Sequence, residues 1–275
     1  MFRWDGGFIM VMKDQYEEAI SWYEEVFGWT CVEKISTLVG EKAFMKMPRS
    51  GIVTIKSYQE EYEHFFREQE EGDSTLPFAT YDIEKTTSYL KERKVECFET
   101  KSLPNGQKYC DILAYADTKM TLFEEEKGEG TNEYPPSGMI GFGNVNSILT
   151  VKDLNASSKW YKEVLGFKIV SVNEEKGYAH LKTEDAYDRN ALRQEFWDHI
   201  WLLQDEEKKL NKPNDNSARI YYDIRPSVFF DEYNQLIKQG IRPSEIAGDP
   251  INGWGGFHIY DPDLNRINIW SYTFD

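Results

Sequence analysis

Any chemistry in this chain has to come from few residues. There are four histidines in 275 residues: His64, His180, His199 and His258. No two stand at HxH, HxxxH or HxxE spacing, so the sequence offers no local pair of metal ligands. His258 has the most around it. It lies in GWGGFHIYDPDLNRINIWSY (Gly253 to Tyr272), a strand, a tight turn and a second strand. Alternation along the two strands lets His258, Arg266, Asn268 and Trp270 reach one face. An imidazole there suits a general base near neutral pH, and equally suits a single hydrogen bond among packed aromatics. Arg219, near Tyr221, is the second candidate. A guanidinium inside an apolar cup can clamp a carboxylate or phosphate, although an internal salt bridge, to Asp223 for instance, explains it as well. Trp201 and Trp270 fall on late strands and suit the wall of a small-molecule site. Gly253, Gly255 and Gly256 around Trp254 suggest a mobile loop over that site, or only a sharp turn.

Composition removes several function classes. The formal charge is -16, which argues against nucleic acid and anionic membranes as partners. The acidic run EYEHFFREQEEGD (Glu61 to Asp73) reads as a solvated helix face or connector. Cys31, Cys97 and Cys110 form no CxxC and suit a reducing compartment. No apolar run reaches membrane-spanning length, and MFRWDGGFIMVMKD lacks the features of a signal peptide. A cytoplasmic location is therefore expected. GxSxG, P-loop, GxGxxG-after-strand and HExxH patterns are absent from the sequence.

The elements that must position these residues are repeated. KDQYEEAISWYEEVFGW (13–29) and KDLNASSKWYKEVLGF (152–167) share Lys-Asp, Trp-Tyr, Glu-Val and a final Gly-aromatic pair. Each follows a short apolar strand, FIMVM or ILTV, and places an Asp near a helix start. The spacing puts Ala19, Tyr23, Val26 and Phe27 on one helix face, and Ala156, Trp160, Val164 and Leu165 on the other. Gly28 and Gly166 end the helices, and TCVEKIS and FKIVSVN follow as strands. A weaker unit recurs at 78–95 and 219–241, each closed by a hairpin. The fold class is thus α+β, with four β-α-β-β-β modules paired two and two. KGEGTNEYPPSG marks a linker, giving domains 1–126 and 139–275 with 127–138 between them.

This arrangement resembles the vicinal oxygen chelate superfamily, which includes glyoxalase I, extradiol dioxygenases, and fosfomycin and bleomycin resistance proteins. VKDLNASSKWYKEVLGF and FHIYDPDLNRINIWSY carry the resemblance, which extends over roughly residues 5–126 and 140–273. It implies modules combined into cupped sheets, each cup around a pocket. Metal-dependent members hold a divalent ion with His, Glu or Gln from a module's first and last strands. The ion polarises two adjacent substrate oxygens.

Counting to those positions reaches Asn146, Trp201, Arg219 and Asn268 in the C-terminal half. In the N-terminal half it reaches Gly7, Thr54, Phe78 and Leu122. None is an ordinary transition-metal ligand, and Arg would repel an ion. The N-terminal positions are apolar or small and suit a scaffold. The expectation is a protein without metal or cofactor that binds a small organic molecule in an aromatic pocket of the C-terminal half. Asn146, Trp201, Arg219, Tyr221, His258, Arg266, Asn268 and Trp270 would line it, with His258 the candidate for catalysis. A metal-dependent lyase or ring-cleaving dioxygenase with displaced ligands is the alternative. The expected partner is a small molecule. A homodimer through sheet edges is open, as is pairing of the tandem halves within one chain.

Overall fold

Apolar residues alternate along the strands and recur every three to four positions along the helices, and each module folds accordingly. The computed structural model describes residues 2–37, 40–49, 51–57, 71–72, 74–127, 135–183, 199–207 and 217–272, so His64 and Trp197 lie outside it. Module one runs β1 (Arg3–Val11), α1 (Tyr16–Trp22), β2 (Thr30–Thr37), β3 (Gly40–Lys46) and β4 (Ile52–Ser57). Module two runs β5 (Ser74–Thr80), α2 (Ile83–Glu92), β6 (Glu96–Cys97), β7 (Lys101–Ser102), β8 (Lys108–Leu113) and β9 (Lys119–Glu124). After β10 (Met139–Gly141), module three runs β11 (Val145–Val151), α3 (Leu154–Leu165), β12 (Lys168–Asn173), β13 (Tyr178–Lys182) and β14 (His199–Gln204). Module four runs β15 (Ser217–Asp223), α4 (Phe229–Lys238), β16 (Ala247–Gly248), β17 (Trp254–Tyr260) and β18 (Arg266–Tyr272).

Local signals act as expected, with two departures. Asp82 and Asp153 cap α2 and α3, accepting the N–H of Lys85 and Ala156 at 2.9 Å each. Asp14 instead falls within a 3-10 turn, Lys13–Gln15, ahead of α1. A π-helical turn, Tyr23–Phe27, continues α1 and ends at Gly28, as α3 ends at Gly166, with φ of 75° and 74°. Ala19, Tyr23, Val26 and Phe27 are buried together. On α3 the buried stripe is Leu154, Ser157, Ser158, Tyr161 and Leu165, while Ala156 is exposed. The stripe is rotated so that two of its polar members meet partners: Ser157 Oγ donates to Asp263 at 3.0 Å and Tyr161 OH to Asp261 at 2.9 Å, while Ser158 Oγ finds none among the described residues. The two partnered side chains can face inward without loss.

The modules pair across the halves. One sheet has the order β16-β17-β18-β15-β1-β4-β3-β2 and the other β12-β13-β14-β11-β5-β9-β8-β6. Modules one and four thus form the first cup, and modules two and three the second. In each, the first strands of two modules meet antiparallel: β1 on β15, with Gly7 opposite Ile220, and β5 on β11, with Thr75 opposite Ile148. Parallel pairs such as β1–β4 and β15–β18 make both sheets mixed. The expectation of one cup per half, split at the linker, gives way to this arrangement. The two inner edges of a half are equivalent in pattern, and each is satisfied by the matching edge of the other half.

One contiguous core joins the sheets, including Ile9, Val11, Ile55, Phe78, Leu122, Leu149, Ile220 and Ile269 with the buried helix faces. The sheets touch at Gly7, where a Cβ would lie 2.4 Å from Leu76 Cδ1 and 2.7 Å from the Arg219 carbonyl oxygen. Among the described residues, no helix is long and apolar enough to cross a membrane.

Candidate functional site

The first cup contains a shallow aromatic cleft, open to solvent. Phe8, Thr54 and Tyr221 line it from β1, β4 and β15; Trp254, Trp270 and Tyr272 from β17 and β18; Lys42 and Lys56 from β3 and β4. Half of this lining belongs to module one. The Phe8 and Tyr221 rings lie 6.1 Å apart, and Trp254 stacks on Tyr272 at 5.3 Å. Gly255 and Gly256 belong to β17 rather than a loop. A Cβ on Gly256 would press against the Trp270 ring at 2.9 Å, so a bare backbone lets that ring lie flat.

Lys42 and Lys56 are direct cross-strand partners, so both side chains leave the sheet on the same face. Lys42 Nζ lies 4.4 Å from the Trp254 ring centre, and Lys56 Nζ 5.3 Å from that of Trp270. Burial lowers Lys42 to a pKa of about 8. Burial, with the charges of Lys42 and Arg266, lowers Lys56 to about 7.

Beside the cleft lies a polar cluster. Glu71 accepts from Arg219 at 2.6 Å, Tyr260 at 3.3 Å and Arg266 at 3.4 Å. Arg266 Nε also donates to Asn268 Oδ1 at 3.0 Å, and Asn268 Nδ2 donates to the Ile220 carbonyl at 2.9 Å. The salt-bridge partner of Arg219 is therefore Glu71, from the acidic run expected to be solvated. His258 packs edge-on against Tyr260. Burial, then the positive charges of Arg266 and Arg219, push its pKa down to about 2. So weakly basic an imidazole is a poor general base near neutral pH.

Asn146 and Trp201, expected in the same pocket, lie in the second cup. A bulge in β11 falls between Val145 and Ser147. Asn146 there is fully buried, and its Oδ1 and Nδ2 find no hydrogen-bond partner among the described residues. Trp201 packs with Phe123, Ile140 and Ile148 and stacks on His180 at 4.4 Å. The antiparallel pairing of β13 and β14 brings His180 Nε2 to 2.6 Å from His199 Nδ1. Sequence spacing hid this pair. Of the eight expected residues, Tyr221 and Trp270 line the cleft, Arg219, His258, Arg266 and Asn268 form or adjoin the polar cluster, and two lie elsewhere.

Residues 7–124 match the family described as Glyoxalase/Bleomycin resistance protein/Dioxygenase superfamily, and residues 144–184 match the Bleomycin resistance protein-like N-terminal family. The chain belongs to the glyoxalase/bleomycin resistance/dioxygenase superfamily. Its fold is similar to a Bacillus subtilis protein provisionally assigned as a dioxygenase (TM-score 0.66, 12% identity, 99% of this chain and 86% of that one). It is also similar to glyoxalase I from Zea mays (TM-score 0.62, 14% identity, 98% and 92%). At these identities the likeness concerns the fold. No curated protein matches the sequence.

A superfamily-type divalent ion can be tested against the first cup. Arg219 and Asn268 stand at the module-four positions, with Thr54 in module one. Glu71, the nearby carboxylate, is already bonded to two guanidiniums. Two fixed cations at that point oppose a third, so this donor set does not fit the ion. Among the described residues, no three His, Cys, Asp or Glu side chains converge.

The lysines carry a testable cost. Lys56 falls from an ordinary 10.5 to about 7 in the folded protein. Between those values the unfolded chain holds a proton that the folded chain has lost, so stability rises with pH across that window. Lys56→Met is expected to stabilise the protein by about 2 kcal/mol below the folded pKa, with the gain vanishing above the unfolded one. Urea unfolding of both proteins at several pH values measures this; a pH-independent difference would contradict it.

Proposed function

We propose that the protein binds a small organic molecule in the aromatic cleft of the first cup, without a metal ion. The observation that carries this reading is the pairing of an open aromatic cleft with an Arg219–Glu71–Arg266 cluster where a superfamily metal would sit. Two tryptophans, two tyrosines and a phenylalanine supply flat apolar surface, while few polar groups orient the ligand. Neutral, weakly basic His258 favours binding over acid–base catalysis.

The test combines metal analysis with ligand screening. Protein incubated with Zn, Mn, Fe(II) or Ni and then desalted is expected to retain far less than one ion per chain. Screening flat organic molecules by tryptophan fluorescence should find quenching in the parent, weakened at least tenfold in affinity by Trp270→Ala. A tightly held stoichiometric ion whose removal abolishes binding would overturn the reading in favour of a metal-dependent lyase or ring-cleaving dioxygenase.

A further inference from the structure

Resting on that binding role, we propose that Lys42 and Lys56 recognise an anionic group, so that the ligand of the cleft is an aromatic oxyacid anion, of which an aryl carboxylate is the simplest. Three observations converge. The two lysines face each other across β3 and β4, an arrangement that repels when both are charged. Lys42 is only 4% exposed, and both ammonium groups line the cleft. Neither has a carboxylate within ion-pair distance among the described residues, although the chain carries 48 Asp and Glu against 32 Lys and Arg. Among the described residues, that surplus of carboxylates supplies no partner to either inward cation.

The Trp254 and Trp270 rings offset part of the cost. A cation over an aromatic face recovers only part of what removing an ammonium from water costs. An incoming oxyanion supplies the remainder by accepting from both ammonium groups. The geometry also fixes the rest of the molecule. The lysines come from β3 and β4, and Trp270, Tyr272 and Tyr221 lie across the cleft on β18 and β15. An anion seated between the lysines directs its attached ring onto that aromatic surface. Arg219 and Arg266 are already bonded to Glu71. Anion binding then favours the charged lysines, so it takes up protons and weakens as pH rises through their pKa values.

The test uses two probes with the same rings: 1-anilinonaphthalene-8-sulfonate, an anion, and N-phenyl-1-naphthylamine, which lacks the sulfonate. Full-length protein, Trp270→Ala and the double variant Lys42→Met/Lys56→Met are titrated below pH 7 and again above pH 9. The parent is expected to bind the sulfonate at least tenfold more tightly than the amine at the lower pH and to lose that preference at the higher. The double variant should bind the sulfonate at least tenfold more weakly and the amine within twofold of the parent. Both lysines are costly to the empty fold, so a thermal midpoint at or above the parent's confirms that the variant is folded. Equal affinities in the parent, or unchanged sulfonate binding in the double variant, overturn the inference while binding in the cleft stands. If neither probe binds, or Trp270→Ala changes neither affinity, the binding role fails and the inference with it.

Discussion

Glu71→Ala is expected to destabilise the protein by about 3 kcal/mol, because it leaves Arg219 and Arg266 buried without their shared carboxylate. The two arginine side chains are 6% and 10% exposed, so water cannot replace the partner cheaply. Burial raises the Glu71 pKa, but the charges of Arg219 and Arg266 outweigh it and hold the carboxyl below its ordinary range. A depressed folded pKa means that the ionised carboxylate stabilises the fold above the ordinary carboxylate pKa. That contribution is lost as pH falls through the lowered value. The difference between parent and variant should thus be full at neutral pH and shrink in acid. Urea midpoints at several pH values read this directly. Added formate should restore part of the loss in the variant and leave the parent unchanged. A pH-independent difference with no rescue would show that the loss is one of packing alone.

Asp261→Ala is expected to cost a comparable amount, about 3 kcal/mol, for a different reason. Asp261 accepts the backbone N–H groups of Asp263 and Asn265 at 2.9 and 2.8 Å, which closes the hairpin between β17 and β18. Its other oxygen accepts Asn265 Nδ2 at 2.7 Å and Tyr161 OH at 2.9 Å. Tyr161 is fully buried, and its pKa is raised by burial first and then by the Asp261 charge, so the hydroxyl remains a donor. Removing Asp261 leaves these buried donors without their acceptor. Neighbouring Asp263 continues the tie by accepting the Lys152 N–H at 3.0 Å. The acidic pair therefore fixes the hairpin of one cup to the helix start of the other. In a double-mutant cycle, Asp261→Ala and Tyr161→Phe should be non-additive by about 1 kcal/mol. Strict additivity would mean that the pair does not couple the cups.

Much of the fold was legible in the chain. The repeated Lys-Asp and Gly-aromatic signatures located two helices and their stops, and alternation located the strands around them. Cup membership was not legible. β1, β5, β11 and β15 open equivalent modules, and nothing local distinguishes an edge that pairs within a half from one that pairs across. That choice then divided the expected pocket: Asn146 and Trp201 went to one cup, Arg219 to Trp270 to the other. Lys42 and Lys56 did leave a signal. In GEKAFMK and IVTIKS they share a face with Phe44 and Thr54, opposite Ala43, Met45, Val53 and Ile55. A search confined to metal-ligand positions passes over them. Glu71 left none, because a buried glutamate and a solvated one look alike within an acidic run. His180 and His199 meet only through the pairing of β13 with β14, which sequence spacing does not encode.

The cross-pairing also imposes an order of events during synthesis. β1 is complete at Val11, whereas its partner β15 begins only at Ser217. At about 5–20 residues per second, roughly 10–40 s separate them. For that interval β1 and β5 both present open inner edges, each a template for pairing. They are also equivalent in kind, so the nearest available partner of each is the other. The ribosome thus delivers the competing edge first and the native partner last.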